Sequence, residues 1–524
     1  MRTAVTHFLS VKLRSDPPLS SQQQKNVDTL VGISDIFHAD AGIPQGQKIP
    51  VSEELLVLES GHQPNFLPYP GVWKKVFLLH RIVRQLKSRD REAIAFFGFA
   101  DQNLSTARLL YENKVPAVNK QGRKKFGFKI KEPEKWKRFN TLNKPAKDDW
   151  DLELDKLRDH YLPYLPRNHE DAQVILRNID TLTDIMERCY SRATNLADVN
   201  AFIFARTCQE LFDIPVHFFR YSDVQHANLF INEWKRIIGS LQMYTREYNH
   251  AIHEKKLLLV PVPPDFFPFW YHCPCGAKVA LSINIPGGCH GICPVCKTAF
   301  SFPVFSDIRC LADLMKDMGM SAVTRNIIFS EGLGTRLFIS GSGGGLRYGQ
   351  VANTLSERLS FNIPLTLSWQ SRDYYIGITH MAALKDMLRF FNLTFNDLVN
   401  GLPDEKIGNY RMFLLQQAEN LKQDSEQKKE SIKYSGLYRS SATQVSITKK
   451  TFSTIPSIID LLVNFNAPFL VGQWDDALGC AEIKDSEDTV VIKQDISYCQ
   501  GNTGKFTFHD IPRIYHSLEV INEP

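Results

Sequence analysis

The sequence lacks a long apolar segment. No run of about 18 uncharged apolar residues, the length of a membrane-spanning helix, occurs in the chain. The amino-terminal stretch also lacks the continuous apolar region of a secretory signal, because Thr6, His7, Ser10 and Lys12 interrupt it. We therefore expect neither a membrane span nor a membrane partner.

A strong excess of one charge sign is missing as well. The 62 Lys and Arg residues nearly balance the 57 Asp and Glu residues, which leaves a net charge of +5. Charge alone therefore does not imply nucleic acid. One local basic run, residues 120–138, interleaves Phe126, Phe128 and Trp136 with its cations. It predicts either an RNA or phosphate contact or a solvated hairpin whose aromatic residues face the core, and we favour the hairpin.

Cysteine, by contrast, is concentrated in one segment. Five of the ten cysteines lie within residues 270–300, where Cys273 with Cys275 and Cys293 with Cys296 form two close pairs. The residues between the pairs alternate in polarity as a β-hairpin does. Four thiolates close a tetrahedral shell around Zn²⁺ and leave no open position for water, so we predict a structural zinc ribbon.

Two alternatives remain for this segment. The cysteines could be reduced without a metal, or Cys289, His272 or His290 could replace one of the four ligands. Neighbouring glycines place Cys289 and His290 in a glycine-rich loop, so we leave them out of the predicted shell. Thiols held reduced on a metal favour a cytoplasmic protein.

Apolar strands that end in polar residues predict an α/β fold with an open parallel sheet. Residues 55–58 form a strand candidate, and residues from Val72 onward have the apolar spacing of a helix. Residues 94–99 are almost entirely apolar, as in a strand that is buried on both faces. In such sheets ligands bind beyond the carboxyl ends of the strands.

The same patterns divide the chain into six segments. We expect one long helix over residues 226–256 and a strand at residues 469–472. The predicted segments are a lead-in with a short helix (1–50), a first core part with a helical insert (51–265), the ribbon (266–303), a second core part (304–400), a charged helical arm (401–440) and a small α+β piece (441–524).

A glycine-rich loop, Ser340–Gly345, follows a predicted strand and precedes a helix that begins near Leu346. Backbone amides freed by glycine, together with a helix amino terminus, favour a phosphate or carboxylate. The loop lacks the Gly-Lys-Ser/Thr ending of the common nucleotide-binding loop. A flexible turn is the alternative interpretation.

Three patches resemble, in order, segments of the BshC-type cysteine ligases of bacillithiol biosynthesis. The patches are GHQPNFLPYPGVWKK, FFGFADQN and the stretch MSAVTRNIIFSEGLGTRLFISGSGGGLRYGQVANTLSERLSFNIPL. The similarity spans roughly residues 51–380, and its register in the third patch runs through Arg325, Gly341, Gly343, Tyr348, Gln350 and Pro364.

This resemblance implies a Rossmann-like core with helical connecting segments and a helical arm, for which the charged residues 403–435 are the candidate. It also implies a reaction that joins the carboxyl group of cysteine to the amine of a glucosaminyl malate. The chain departs from the family pattern at several positions. His62 replaces a Gln of the first patch, and Gly344 replaces a Glu of the third. In the second patch Ala100, Gln102 and Asn103 replace a Glu, a His and an Asp, so that only Asp101 keeps its carboxylate. We therefore expect a different substrate, and the zinc ribbon is extra to the pattern.

The residue types of these patches suit amide formation. His62 or Asp101 could take the proton of the amine. Arg325 and the loop amides could hold a phosphate or carboxylate. The predicted binding residues are Gln63, Asn65, Gln102, Asn103, Arg325, Ser342, Gly343, Gly344, Gly345, Gln350 and Arg372.

Three functions follow as hypotheses. The first is a BshC-like ligase that joins cysteine or another amino acid to a small, amino-sugar-like amine, with structural Zn²⁺ and with ATP as a candidate co-substrate. The second is an RNA-binding protein that uses the ribbon and the basic run. The third is an inactive scaffold. The charged arm is also a candidate surface for a homodimer.

Overall fold

The computed structural model describes residues 4–13, 17–46, 48–284, 288–303, 308–341, 343–423, 427–499 and 506–521. Its strands are β1 Leu56–His62, β2 Ala93–Phe99, β3 Glu112–Pro116, β4 Arg123–Gly127, β5 His217–Arg220, β6 Phe266–His272, β7 Lys278–Asn284, β8 Gly288–Ile292, β9 Ala299–Phe302, β10 Met318–Met320, β11 Leu337–Ser340, β12 Leu365–Gln370, β13 Asp373–Tyr375, β14 Glu482–Asp485, β15 Thr489–Lys493 and β16 Ile496–Tyr498.

The α-helices are α1 Ala4–Lys12, α2 Ser21–Ala41, α3 Pro70–Lys87, α4 Lys147–Tyr161, α5 His169–Arg192, α6 Leu196–Glu210, α7 Tyr221–His226, α8 Ile231–Ile238, α9 Leu241–Glu254, α10 Ile308–Met315, α11 Ala322–Leu333, α12 Gly344–Leu359, α13 Ile378–Phe391, α14 Phe395–Val399, α15 Pro403–Asn420, α16 Lys428–Phe452, α17 Ile458–Asn464, α18 Ala467–Cys480 and α19 Asp510–Val520. None of these helices is long and apolar enough to cross a membrane.

A seven-stranded central sheet organises the fold. Its strand order is β14-β15-β12-β11-β1-β2-β5. All neighbouring strands are parallel except β14 and β15, which are antiparallel. From β1 the chain builds outward through β2 and β5, and it then returns to the other side of β1 to add β11, β12 and β15. The strand order therefore reverses between β1 and β11, and this confirms the predicted α/β class with a mostly parallel sheet.

Both faces of the central sheet are buried. Successive residues of a strand point to opposite faces. In β1, Leu56 and Leu58 join one apolar core, and Val57 joins the other. The first core lies against α3, α5, α6 and α18, and the second lies against α2, α8, α9, α11 and α12. Every residue of β2 is buried, as its apolar sequence predicts.

A second, antiparallel sheet has the order β10-β6-β7-β8-β9. The turn between β6 and β7 carries Cys273 and Cys275, and the turn between β8 and β9 carries Cys293 and Cys296. The predicted hairpin of the basic run is present as β3 and β4, in which Phe126 is only 3% exposed. Trp136 of the same run is 51% exposed and does not face the core.

The prediction of one long helix over residues 226–256 is wrong. The segment forms α8 and α9, which are separated at Gly239 and Ser240. Phe230, which precedes α8, has a left-handed backbone with φ of 70°. The two shorter helices can each turn their apolar face to the core, which buries Trp234 in α8 and Tyr244 in α9.

The predicted strand at residues 469–472 is also wrong, because these residues lie in α18. Asn466 caps this helix by accepting from the N–H of Phe469, and Leu470, Trp474 and Leu478 are buried at helical spacing. Residues 441–524 are not a separate piece either. Their strand β15 pairs with β12 inside the central sheet.

Two helices are longer than predicted. The lead-in contains a long helix, α2, that begins with a capping box between Ser20 and Gln23 and buries Val27 and Leu30. The charged arm consists of α15 and α16, which pack against each other, and α16 continues to Phe452. The helices α2 and α16 are longer than expected because apolar positions along them are buried in the core.

Candidate functional site

A cavity of about 390 Å³, here called the central cavity, opens where the strand order of the sheet reverses. Ligands of open α/β sheets bind at this position, beyond the carboxyl ends of the strands. The walls come from the residues after β1, the first turns of α3, α11 and the loop after β11. No carboxylate is among the described residues that line it. Its polar side chains are those of His62, Gln63, Tyr69, Lys74, Lys75, Asn103, Arg325, Asn326, Ser340, Tyr348 and Trp369.

His62 is the last residue of β1, and its ring faces the central cavity. Its Nδ1 lies 2.9 Å from the carbonyl oxygen of Gln63. Because a carbonyl only accepts, we assign the proton of the neutral ring to Nδ1, which leaves the lone pair of Nε2 for a ligand. Burial, followed by the charge of Lys75, lowers the pKa of His62 to about 3, so the ring is neutral at physiological pH.

Lys75 brings a buried cation to the cavity from α3. Its ammonium group donates to the carbonyl oxygen of Gly61 at 3.1 Å. Burial, followed by the nearby charge of Arg325, lowers the pKa of Lys75 to about 8. Lys75 therefore remains mostly charged at neutral pH and is poised to pair with an anion.

Arg325 lies opposite Lys75 on α11. Its guanidinium carbon is 4.5 Å from the centre of the Tyr221 ring, which supports the planar group from one side. The buried Nε of Arg325 has no hydrogen-bond partner within the described chain. Two cations and no lining carboxylate make the cavity complementary to a phosphate or carboxylate.

The glycine-rich loop forms the wall beside β11. A Cβ on Gly341 would lie 3.8 Å from the Lys75 ammonium, and nothing lies within 4 Å of a Cβ on Gly343. The backbone of the loop is therefore open to a ligand. Gly344 and Gly345 begin α12, where the first main-chain N–H groups have no helical acceptor. Ser342 falls outside the described residues.

Lys74 forms a second, paired cation in the wall. Its ammonium group lies 2.5 Å from Asp373 Oδ1 and 2.7 Å from Ser371 Oγ. It also lies 5.1 Å from the centre of the Trp369 ring. Burial lowers the pKa of Lys74, whereas the charge of Asp373 opposes this shift. Lys74 is thus satisfied by protein groups, unlike its neighbour Lys75.

The structure brings together most of the predicted binding residues. His62, Gln63, Asn103, Arg325, Gly343, Gly344 and Gly345 line the central cavity. Asp101 is buried behind it, where Oδ2 accepts from the Asn140 amide at 2.9 Å and Oδ1 from the N–H of Ser222 at 3.2 Å. Burial raises the pKa of Asp101 to about 6.

Five predicted site residues do not line the cavity: the candidate base Asp101 and four of the predicted binding residues. Asn65 and Gln102 are buried, and neither amide atom of Asn65 has a hydrogen-bond partner among the described residues. Gln350 lies on α12, where its carbonyl oxygen accepts from Lys255. Arg372 is exposed after β12.

The sequence did not predict Lys74, Lys75, Asn326, Tyr348, Tyr69 or Trp369 as site residues, although all six also line the cavity. For the two lysines a signal exists. They interrupt the apolar segment VWKKVFLL in α3, and the apolar residues on both sides of them in this segment are buried. Charged side chains are rarely buried without a specific interaction, so lysines at core positions of a helix indicate a site.

Four cysteine sulfurs could hold a metal ion. The Sγ atoms of Cys273, Cys275, Cys293 and Cys296 all lie within 4.8 Å of one another. The pairs Cys273–Cys296 and Cys275–Cys293 are each 3.5 Å apart. Cys289, His272 and His290 are not part of this cluster. Four thiolates suit a soft or borderline metal such as zinc.

The four-cysteine cluster is connected to the central cavity by main-chain hydrogen bonds. The N–H of Arg138 donates to the carbonyl oxygen of Gly276 at 2.8 Å, in the turn that carries Cys275. The next residue along, Phe139, donates its N–H to the carbonyl oxygen of Asn103 at 2.9 Å. The segment around Arg138 therefore joins the cysteine turn to the residues at the end of β2.

The chain matches no protein-family model and no curated protein. Fold and site thus define a mixed α/β protein with a cationic cavity at the carboxyl edge of its sheet and a four-cysteine cluster beside it.

Proposed function

We propose that the protein is an enzyme of the ligase class that forms an amide from an activated carboxylate and a small amine. The observation that carries the proposal is the central cavity, which is lined by Lys75, Arg325, Gly341 and residues 343–345, and by no carboxylate of the described chain. Such a space favours a phosphate or an acyl group with a developing negative charge.

The same charges favour the reactive form of an amine. Nearby cations disfavour a bound ammonium ion, so they lower the pKa of an amine that binds between Lys75 and Arg325. The amine then binds in its neutral, nucleophilic form. No lining carboxylate opposes this effect among the described residues.

His62 is the group best placed to take a proton. The amine nitrogen attacks the acyl carbon, a C–N bond forms, the bond to the phosphate leaving group breaks, and the amine proton passes to Nε2 of His62. The cations that contribute to the low pKa of His62 are Lys75 and Arg325. A bound anion offsets their charge and so raises the pKa of His62, while burial, the largest cause of the low value, continues to lower it.

ATP, when bound, would supply the phosphate or nucleotide that activates the carboxylate. The strand order of the central sheet supports a Rossmann-like core, because the six parallel strands follow the doubly wound order with the switch point between β1 and β11. The glycine-rich loop and the amino terminus of α12 would hold phosphate there. The resemblance to BshC-type cysteine ligases agrees with this chemistry, with an amino-sugar-like amine as the acceptor.

Zn²⁺ is the metal that we propose for the cysteine cluster, in a zinc ribbon formed by β6 to β9. Zn–S bonds of about 2.3 Å in a tetrahedron place the sulfurs about 3.8 Å apart, and the closest pairs lie 3.5 Å apart. Its role is structural, since four thiolates leave no position for substrate. Through the N–H groups of Arg138, bonded to Gly276, and Phe139, bonded to Asn103, the ribbon supports the cavity wall.

Comparative metabolite profiling tests the ligase activity. Extracts of cells with and without the protein are treated with a thiol-labelling reagent, and the purified zinc-loaded protein is incubated with amino acids, candidate amines and ATP. We expect an amide product that depends on the protein and that is lost in a His62→Ala variant. A purified protein that neither binds nor consumes any amino acid, with or without ATP, contradicts the proposal.

A further inference from the structure

Two depressions lie to one side of the central cavity. The apolar cleft, which adjoins the cavity, has a volume of about 450 Å³. Its apolar lining residues are Phe66, Pro68, Tyr69, Leu109, Ile455 and Pro456, and its charged ones are Arg108, Glu112, Lys114 and Arg123. The basic groove has a volume of about 560 Å³ and is lined by Lys120, Gln121, Arg123, Lys125, Lys450, Ser453 and Thr454. Neither belongs to the site described above.

The three spaces are neighbours. Tyr69 lines both the central cavity and the apolar cleft. Arg123, Ser453 and Thr454 line both the apolar cleft and the basic groove. The spaces therefore follow one another in the order central cavity, apolar cleft and basic groove, with Tyr69 between Lys75 and the cleft.

The basic groove is held by specific contacts. The turn between β3 and β4 docks on the end of α16, where the Lys450 ammonium donates to the carbonyl oxygen of Lys120 at 3.2 Å. Thr454 Oγ1 donates to the carbonyl oxygen of Gly122 at 3.2 Å. Gly122 has φ of +69°, and a Cβ there would lie 2.2 Å from the Lys450 backbone, so the approach requires glycine.

Three cations of the groove remain available to a ligand. Glu112, an acid that lines the adjoining apolar cleft, is paired with Lys114 at 3.4 Å and with Lys125 at 3.3 Å. No acid of the described chain forms an ion pair with Lys120, Arg123 or Lys450. A cluster of Arg and Lys without acids is complementary to a phosphate.

The large exposed side chains of the apolar cleft are mostly apolar. Leu109 is 41% exposed, Ile455 is 72% exposed and Tyr69 is 38% exposed. In the basic run, Phe126 is buried and Phe128 stacks on Trp150, and the exposed Trp136 lines neither the cleft nor the groove. Tyr69 is the one exposed aromatic ring among the described residues that line the cleft, so the cleft fits an aliphatic chain better than successive bases, which stack on several aromatic rings.

We propose that the substrate of the central cavity is an elongated molecule with an anionic reacting end, an aliphatic middle and a phosphate at its far end. The reacting end lies against Lys75 and Arg325, the aliphatic segment crosses Leu109 and Ile455, and the far phosphate binds Lys120, Arg123 and Lys450. This inference rests on the proposed function of the central cavity and specifies the class of its substrate.

Alkane bisphosphates of increasing chain length test the proposal by calorimetry with the zinc-loaded full chain. Alkyl monophosphates of the same lengths serve as the reference. We expect an optimum length at which the bisphosphate binds about tenfold more tightly than its monophosphate, a difference of about 1.4 kcal/mol. The double variant Arg123→Gln with Lys450→Gln should bring this ratio to one, whereas Lys129→Gln, an exposed residue of the same basic run outside the groove, should leave it unchanged.

Several results overturn the inference. The basic groove is not a phosphate site if bisphosphate affinity shows no optimum chain length. The same conclusion follows if the Arg123→Gln, Lys450→Gln double variant leaves the ratio of bisphosphate to monophosphate affinity unchanged. In that case, loss of monophosphate binding in Arg325→Gln would still support an anion site in the central cavity. Failure of the far phosphate site can therefore be distinguished from failure of the proposed function. Single-stranded RNA that competes for the groove more strongly than the best bisphosphate would assign the groove to nucleic acid and contradict the inference.

Discussion

The ammonium group of Lys75 donates to the carbonyl oxygen of Gly61 at 3.1 Å and has no acidic partner among the described residues. Its neighbour on α3, Lys74, is paired with Asp373 at 2.5 Å. Two adjacent buried lysines thus have opposite electrostatic surroundings. A buried cation that has no carboxylate partner lowers the stability of the fold. The presence of Lys75 at this position is explained if its ammonium group binds an anionic ligand.

Replacement of each lysine by Met separates these roles. Lys75→Met should raise the free energy of unfolding of the ligand-free protein, by about 1 kcal/mol or more, because it removes a poorly compensated buried charge. Lys74→Met should lower it by about 3–5 kcal/mol, because it leaves Asp373 buried without its partner. Urea unfolding measures both values, and a loss of stability in Lys75→Met equal to that in Lys74→Met would show that Lys75 is a structural residue.

Sulfate binding should depend on the charge of Lys75. The pKa of Lys75 in the empty cavity is lowered to about 8, so the side chain is charged below this pH and becomes neutral above it. A bound anion favours the charged form, and affinity should therefore be constant below pH 8 and fall as the pH rises through that value. Calorimetric titrations with sulfate, which does not itself titrate in this range, measure the profile.

A Lys75→Arg variant is the control for this pH dependence, because arginine keeps its charge throughout the range. Its affinity for sulfate should vary much less above pH 8. A wild-type profile that stays flat through pH 8 and beyond would mean that Lys75 does not contact the anion.

Gly341→Ala should block the ligand with little effect on the fold. The added methyl group would lie 3.8 Å from the Lys75 ammonium, which is an ordinary contact, but it would occupy space next to the cation. We expect a melting temperature close to that of the wild type and sulfate affinity reduced by about tenfold, or about 1.4 kcal/mol. Gly436→Ala, in α16 with nothing within 4 Å of the new Cβ, is the matched control and should keep full affinity.

Cys273→Ser should remove bound zinc and destabilise the protein. Structural zinc binding contributes folding free energy, so the loss should exceed about 2 kcal/mol. Metal analysis and thermal unfolding check this, with Cys480→Ser, an exposed cysteine outside the cluster, as the control. Retention of zinc and of the fold together with abolished turnover would contradict a structural role for the cluster.

The parts of the fold that could be predicted are those with local signals. The apolar runs gave β1 and β2, and close cysteine spacing gave the four-cysteine cluster, because both patterns are read within a few residues. The place of β15 (residues 489–493) in the central sheet could not be predicted. It pairs with β12, which lies more than 100 residues earlier in the chain, and no local pattern specifies such a partner.

The site was predictable to a similar degree. His62, Arg325 and the glycine-rich loop meet in the central cavity because parallel strands bring their carboxyl ends to one edge. Asp101 follows β2 at that same edge, yet its side chain turns toward Asn140 and Ser222. Side-chain direction after a strand depends on tertiary hydrogen bonds, and sequence patterns do not specify these.

Pyrophosphate binding to the zinc-loaded protein, measured by calorimetry in the wild type and in Arg325→Gln, tests the anion-binding role of the central cavity most directly. Arg158→Gln, at an exposed position on α4, controls for a general effect of charge. We predict saturable binding to one site that weakens by at least about tenfold in Arg325→Gln and is unchanged in Arg158→Gln. Absence of binding, or equal weakening in both variants, would contradict an anion site at the switch point between β1 and β11.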